Sequence, residues 1–244
     1  MPDKGFDSVV VVDFGAQYAQ LIARRVREAD VHSEIVPRDI TAAQVAARAP
    51  VGVSLSGGPA SVYATDAYEL DPGVFDLGIP VLGICYGHQV MSHLLGGAVE
   101  PTDTAEYGRT ELEVVAAVGV FTDLPEHQNV WMSHRDAVVD APPGFMVTAR
   151  TAASPVAAME DAGRRFVGVQ FHPEVGHTDS GREILRHFLY DQCGARAEWT
   201  SVSIIEQSVE AVRAEVGGGK AVCGLSGGVD SAVAAALVHR AVGD

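Results

Sequence analysis

Cys85 and the pair His172 and Glu174 are the residues whose types and spacing could carry chemistry in this sequence. Cys85 sits in Gly83-Ile84-Cys85-Tyr86-Gly87. The β-branched stretch before it and the helical periodicity after it place the cysteine on a strand-to-helix turn. Glycines two positions to either side remove Cβ atoms that would clash in so tight a turn. Such a turn presents the sulfur at the carboxyl end of a strand, where open α/β sheets bind ligands. The amino terminus of the helix that follows favours a thiolate. Cys85 therefore reads as a nucleophile, against the competing reading of a small buried hydrophobe. Cys193, in a linker-like stretch, and Cys223, inside an apolar run, lack this context.

Nine histidines compete for the role of general base. His172 differs from the others because it ends the run Phe166-Val-Gly-Val-Gln-Phe171 and precedes Pro173, which biases it toward extended backbone. With extended backbone, side chains 172 and 174 project to the same side. Glu174 could then accept a hydrogen bond from the imidazole, fix its tautomer and stabilise the imidazolium. A nucleophile, a base and an orienter are the parts needed to open an acyl bond through a covalent intermediate.

The elements that must position these groups are legible from periodicity. Buried-type strands over 8–13, 33–36, 51–55 and 80–84 alternate with helices over 17–30, 41–48 and 86–95, the last ended by Gly96-Gly97. From 108 to 171 the helical pattern gives way to short alternating segments at 110–115, 130–133, 146–150 and 166–171. A helix over 180–192 closes this part, and 193–200 reads as a linker. The alternation predicts an α/β fold over residues 1–195, a doubly wound, mostly parallel sheet of flavodoxin-like type.

A second unit is expected over 196–244. A helix over 202–216 meets Gly217-Gly218-Gly219, then an apolar strand over 221–225, the turn Ser226-Gly227-Gly228-Val229-Asp230-Ser231, and a helix from there to 242. Backbone amides in such a turn and the dipole of the helix after it can cradle a phosphate. The Gly-Lys-Ser/Thr ending of a Walker loop is absent.

Bulk properties narrow the partners. With 17 basic and 32 acidic side chains the net charge is −15, which repels a nucleic-acid backbone but leaves room for a small anion held by local amides. No apolar run approaches the roughly 18 residues of a membrane span, and the amino terminus has no signal-peptide cleavage pattern, so a cytoplasmic protein is expected. The three cysteines have neither disulfide nor metal-ligand spacing, and no metal site is expected.

Gly-x-Cys85-Tyr-Gly with Phe-His172-Pro-Glu174 resembles the class I glutamine amidotransferases, with Cys85, His172 and Glu174 as the catalytic set. By that resemblance the loop Ser56-Gly57-Gly58-Pro59 lies against the substrate, and the N–H groups of Gly58 and Tyr86 receive the oxyanion. Gly57, Gln89 and the loop Trp131-Met-Ser133-His134 would contact glutamine. Ser226 to Ala232 resembles the pyrophosphate loop of ATP pyrophosphatases, so that Ser226, Gly227, Gly228, Val229, Asp230, Ser231 and Ala232 would bind ATP.

The two motifs in this order resemble the glutamine-hydrolysing guanosine monophosphate synthetases. The stretches Asp13-Phe-Gly-Ala-Gln-Tyr, Glu106-Tyr-Gly-Arg109 and His172-Pro-Glu-Val-Gly-His-Thr178 agree, and the resemblance covers essentially the whole chain. It implies that ammonia released from glutamine aminates xanthosine monophosphate (XMP) at a second site, with ATP and Mg2+. It implies no cofactor for the glutamine-hydrolysing part, and a homodimer for the full-length enzyme. A glutaminase or γ-glutamyl cysteine hydrolase of another pathway, and a non-catalytic glutamine-binding regulatory module, are the alternative readings.

Two departures from that family stand out. Arg135 occupies a position where the family carries glycine, which predicts strain if the backbone there is left-handed. Only 13 residues follow Ser231, too few to complete a nucleotide-binding sheet, so the chain is expected to be a fragment with 221–225 as an isolated, exposed strand.

Overall fold

The structure, a computed structural model, describes residues 5–64 and 70–243. Four parallel pairings build its centre. The strand β1 (Ser8–Asp13) lies between β2 (His32–Pro37) and β3 (Gly52–Leu55), β3 pairs with β4 (Val81–Ile84), and β4 pairs with β9 (Phe166–Val169). Val9 to Val12 are all buried, as expected for a strand covered on both faces.

The helices α1 (Ala19–Glu28), α2 (Ala42–Arg48) and α3 (Tyr86–Leu94) provide that cover. Ile22 and Val26 of α1 join one core with Val9, Val11, Leu82 and Val169. Val45 of α2 and Val90 and Met91 of α3 join the opposite core with Val10, Val12, Val53 and Val81. Alternate residues of each strand thus feed two cores, which is the doubly wound arrangement. Thr41 starts α2 with a capping box, its hydroxyl accepting from the Gln44 N–H.

Beyond β9 the sheet continues in antiparallel fashion through β8 (Ala158–Asp161), β7 (Met146–Arg150), β5 (Ala98–Val114) and β6 (His127–Asp140). The nine strands form one sheet in the order β2-β1-β3-β4-β9-β8-β7-β5-β6. This half differs from the expectation of short segments. The strand β5 begins at Ala98, ten residues before the helical pattern was expected to end, and with β6 it makes one long hairpin. Trp131 to His134, expected in a loop, lie inside β6, because residues 127 to 134 alternate between outward and buried positions as a strand requires. The closing helix is α4 (Gly181–Arg186), continued by a π-helical turn over His187–Gln192.

After Thr200, whose hydroxyl caps α5 (Ser201–Val216), the chain turns at Gly217 and ends its described part in α6 (Val229–Val242). Arg213 of α5 donates to the carbonyls of Ala241 and Arg240, tying the two helices. The strand expected over 221–225 is not formed. No strand among the described residues pairs with it, and Val222 is 97% and Leu225 68% exposed. An extended segment without a neighbour has no ladder to join, and its apolar side chains remain in water. Among the described residues, no helix is long and apolar enough to cross a membrane.

Candidate active site

Cys85 sits between β4 and α3 at φ 52° and ψ −104°, a conformation rare for any residue but glycine. Such a state costs about 1–3 kcal/mol and persists only where its surroundings impose it. The Cys85 N–H donates to the Val169 carbonyl at 2.8 Å, and the Gly87 N–H to the Ser56 carbonyl at 3.0 Å. Both flanking glycines are required by contact. A Cβ on Gly83 would lie 2.7 Å from the Gly87 carbonyl oxygen, and one on Gly87 would lie 2.3 Å from that of Leu55.

His172 follows β9, the neighbour of β4, and this adjacency brings it to the cysteine. Its Nδ1 is 2.8 Å from Glu174 Oε1, with the two side chains 3% and 0% exposed. The backbone around it is clamped. The His172 N–H donates to the Trp131 carbonyl at 3.0 Å, Thr178 Oγ1 donates to the His172 carbonyl at 2.6 Å, and Arg25 Nε donates to the Glu174 carbonyl at 2.8 Å. The Tyr18 ring meets the imidazole edge-on at 5.0 Å. Burial by itself holds the imidazolium down, but hydrogen bonds to Cys85 and Glu174, together with the charges of both, push it up to about 11. Below that pH His172 is an imidazolium held between Cys85 and Glu174.

Cys85, His172, Gly58, Tyr86, Gln89, Ser133 and His134 line one cavity of about 610 Å3. Gly58 reaches it because a Cβ there would crowd Phe14 and Tyr86 at 3.1 Å. The loop is set by Ser56, whose hydroxyl accepts from the Phe14 N–H at 3.0 Å and donates to the Gly57 carbonyl at 2.9 Å. Gly57, expected against the substrate, is buried behind the wall, where a Cβ would lie 3.1 Å from His172 Cε1. It makes room for the imidazole.

The far wall is β6. The carbonyl of Ser133 lies 3.7 Å from Cys85 Sγ, and Gln89 Nε2 donates to the Asp136 carbonyl at 2.7 Å and to Gln170 Oε1 at 3.2 Å. His134, expected to contact substrate, has both ring nitrogens engaged within the chain, Nδ1 with the Asp136 carbonyl and Nε2 with Glu106 Oε2, each at 3.0 Å. It presents ring and backbone to the cavity rather than a free nitrogen. Glu106 also accepts from Ser154 Oγ at 2.7 Å and Thr151 Oγ1 at 2.8 Å. Burial raises its carboxyl, but the hydrogen bonds from His134, Ser154 and Thr151 outweigh this and hold it below the ordinary range. Sequence reasoning gave no role to Glu106, Thr178 or Ser154, whose partners are remote along the chain. Arg135, Tyr107 and Tyr18 also line the cavity without having been singled out as contacts.

The seven residues expected to bind ATP stand apart from this cavity, at the start of α6. Ser226 Oγ donates to Ser231 Oγ at 3.1 Å, Ser231 Oγ to the Gly228 carbonyl at 2.9 Å, and Gly227 takes φ +82°. Gly228 precedes the helix, Val229, Asp230, Ser231 and Ala232 form its first turn, and the turn is open to solvent. Among the described residues, no group of three or more His, Cys, Asp or Glu side chains could hold a metal ion.

A strained cysteine beside a paired histidine and carboxylate, on the carboxyl edge of a parallel sheet, defines a cysteine-dependent acyl-transfer site. Residues 10–192 match the family profile described as glutamine amidotransferase class-I, and the chain belongs to that family. Residues 201–244 match the profile described as NAD synthase. Among curated proteins, the chain is 61% identical to the glutamine-hydrolyzing GMP synthase of Parafrankia sp. (strain EAN1pec), over 98% of this chain and 45% of that one. It is 58% identical to the protein of the same name from Thermobifida fusca (strain YX), over 100% and 46%. The chain thus spans just under half the length of these relatives. Among solved structures it resembles a GMP synthase component from Thermoplasma acidophilum, with a TM-score of 0.71 and 32% identity over 78% of this chain and 94% of that one. A glutamine amidotransferase of Thermotoga maritima shares the fold, with a TM-score of 0.62 and 19% identity over 78% and 99%.

Proposed function

We propose that this chain is the glutaminase part of a glutamine-hydrolysing GMP synthase. The observation that carries the reading is the single cavity in which Cys85 meets His172, itself held by Glu174. The Cys85 thiolate attacks the side-chain carbonyl carbon of glutamine, while the N–H groups of Gly58 and Tyr86 receive the oxyanion. As the C–N bond breaks, the His172 imidazolium gives its proton to the departing ammonia, leaving a thioester. His172, now neutral, takes a proton from water as the water attacks the thioester. Glutamate leaves and the thiolate and imidazolium are restored. Glu174 keeps the Nδ1 side protonated throughout, so that Nε2 faces the reaction. Gln89 and the β6 wall position the substrate.

In the full-length protein the ammonia would aminate XMP to GMP, with ATP cleaved to AMP and pyrophosphate. The turn at Ser226 to Ala232 fits a pyrophosphate group, because it is a compact, glycine-bearing loop opening a helix of 14 residues. A Mg2+ ion would be held mainly through the nucleotide's phosphates and water, as that ion commonly is, and would neutralise their charge. The 61% identity to a GMP synthase supports this half of the reading. We further place the boundary between the two units near residue 195, in the cytoplasm of the cell.

Glutamate release from glutamine tests the first half, comparing this chain with its Cys85→Ala variant. The variant is expected to lose turnover, and equal rates would overturn the mechanism. GMP formation from XMP, ATP and glutamine by the full-length protein tests the second half, and its absence would overturn it.

A further inference from the structure

The amide end of glutamine is accounted for by Cys85 and its partners, but the other end of the substrate is a zwitterion. Its α-carboxylate needs a cation or a set of N–H donors, since a carboxylate held without partners is costly. Among the residues lining the cavity, Arg135 is the one arginine or lysine. It lies in β6 directly after Ser133 and His134, and it is exposed. Its backbone is not left-handed, so the strain that an arginine would suffer in place of glycine does not arise.

The guanidinium is held in place. Arg135 Nε donates to Tyr107 Oη at 3.0 Å, and Tyr107 lies on β5 opposite Ser133 and lines the same cavity. The Arg135 carbonyl accepts from Thr102 Oγ1 at 2.8 Å, which ties the strand at the same point. Among the described residues, no carboxylate forms an ion pair with Arg135. An arginine has five N–H donors in a planar fork, and with Nε engaged the Nη groups keep donors for a carboxylate.

We propose that Arg135 recognises the α-carboxylate of glutamine, with Tyr107 orienting its guanidinium. The proposal rests on glutamine being the substrate and adds the group that selects a free amino acid over one whose carboxylate is blocked. A charge-assisted hydrogen bond at the cavity rim orients the substrate before Cys85 attacks.

The test needs no turnover. The chloromethyl ketone L-2-amino-4-oxo-5-chloropentanoate places an electrophilic carbon where glutamine has its amide nitrogen, so that Cys85 Sγ displaces chloride and forms a thioether. Its methyl ester keeps the ammonium and the electrophile but lacks the negative charge. Mass spectrometry gives the rate of Cys85 alkylation by each compound. The wild-type chain is expected to react at least tenfold faster with the acid than with the ester, and Arg135→Gln is expected to lower that ratio about tenfold. The ratio cancels any general change in thiol reactivity. Arg135→Lys, which keeps the charge without the fork, is expected to fall between the two. A ratio unchanged in Arg135→Gln, or a lysine variant no better than the glutamine one, would overturn the proposal. A wild-type chain in which the acid alkylates Cys85 no faster than Cys193 or Cys223 would instead count against glutamine as the substrate.

Discussion

Replacing Gly87 with alanine tests whether the elbow around Cys85 is set by backbone contact. The added Cβ would lie 2.3 Å from the Leu55 carbonyl oxygen, 2.6 Å from its Cβ and 2.8 Å from its carbonyl carbon, where real Cβ contacts stay above 3.0 Å. The shortfall is about 0.7 Å, and the obstacle is backbone that has little freedom to move. Leu55 pairs with Val12 on one side and Gly83 on the other, in the middle of the parallel sheet. The first turn of α3 must therefore lift, weakening the hydrogen bond from the Gly87 N–H to the Ser56 carbonyl. Overpacking of this kind costs about 1–3 kcal/mol. The sulfur, two residues upstream, is carried along, and a displacement approaching 1 Å costs catalysis on the order of 100-fold. Gly176→Ala is the control. Nothing lies within 4 Å of a Cβ there and its φ is not positive. Urea unfolding and glutamate release would be measured on both. A Gly87→Ala protein with the wild-type midpoint and rate would refute the claim that contact with Leu55 shapes the elbow.

Two further substitutions probe the buried charges. Glu174→Gln removes the negative partner of His172. The imidazolium range should then end at lower pH than in the wild type, as read by NMR, and glutamate release should fall by about a hundredfold. In the wild type the raised His172 value stabilises the fold fully below pH 6.5, and that contribution is lost as pH rises through about 11. His88 behaves in the opposite sense. Burial, against a hydrogen bond to the Val156 carbonyl, pushes it down to about 4. Between pH 6.5 and 4 the unfolded chain takes up a proton that the folded chain refuses. Acidification through that window should therefore remove about 3 kcal/mol of stability, and His88→Gln should flatten the loss in urea titrations run across it.

The elbow and the His-Pro-Glu turn were legible in the sequence because each is short. Gly83 and Gly87 announce a close approach around Cys85, and Pro173 announces the extended backbone that puts His172 and Glu174 on one side. The strands and helices that carry them were legible too, since Val9 to Val12 and the faces of α1 and α3 show their periods directly. The antiparallel half was less legible, because strands in a long hairpin can be irregular. The β5 strand contains Pro101 and the left-handed Gly108, features that resemble turns until β6 is seen to pair across them.

The meeting of Cys85 with His172 depends on β4 lying beside β9. The wall of Ser133, Arg135 and Tyr107, and the clamp of Glu106, Ser154 and Thr151 on His134, depend on the strands that fold in between. Chemistry confined to a few residues is written in dihedral preference and side-chain size. Contacts between remote residues are fixed by sheet order and register, which only the packing of both cores at once decides.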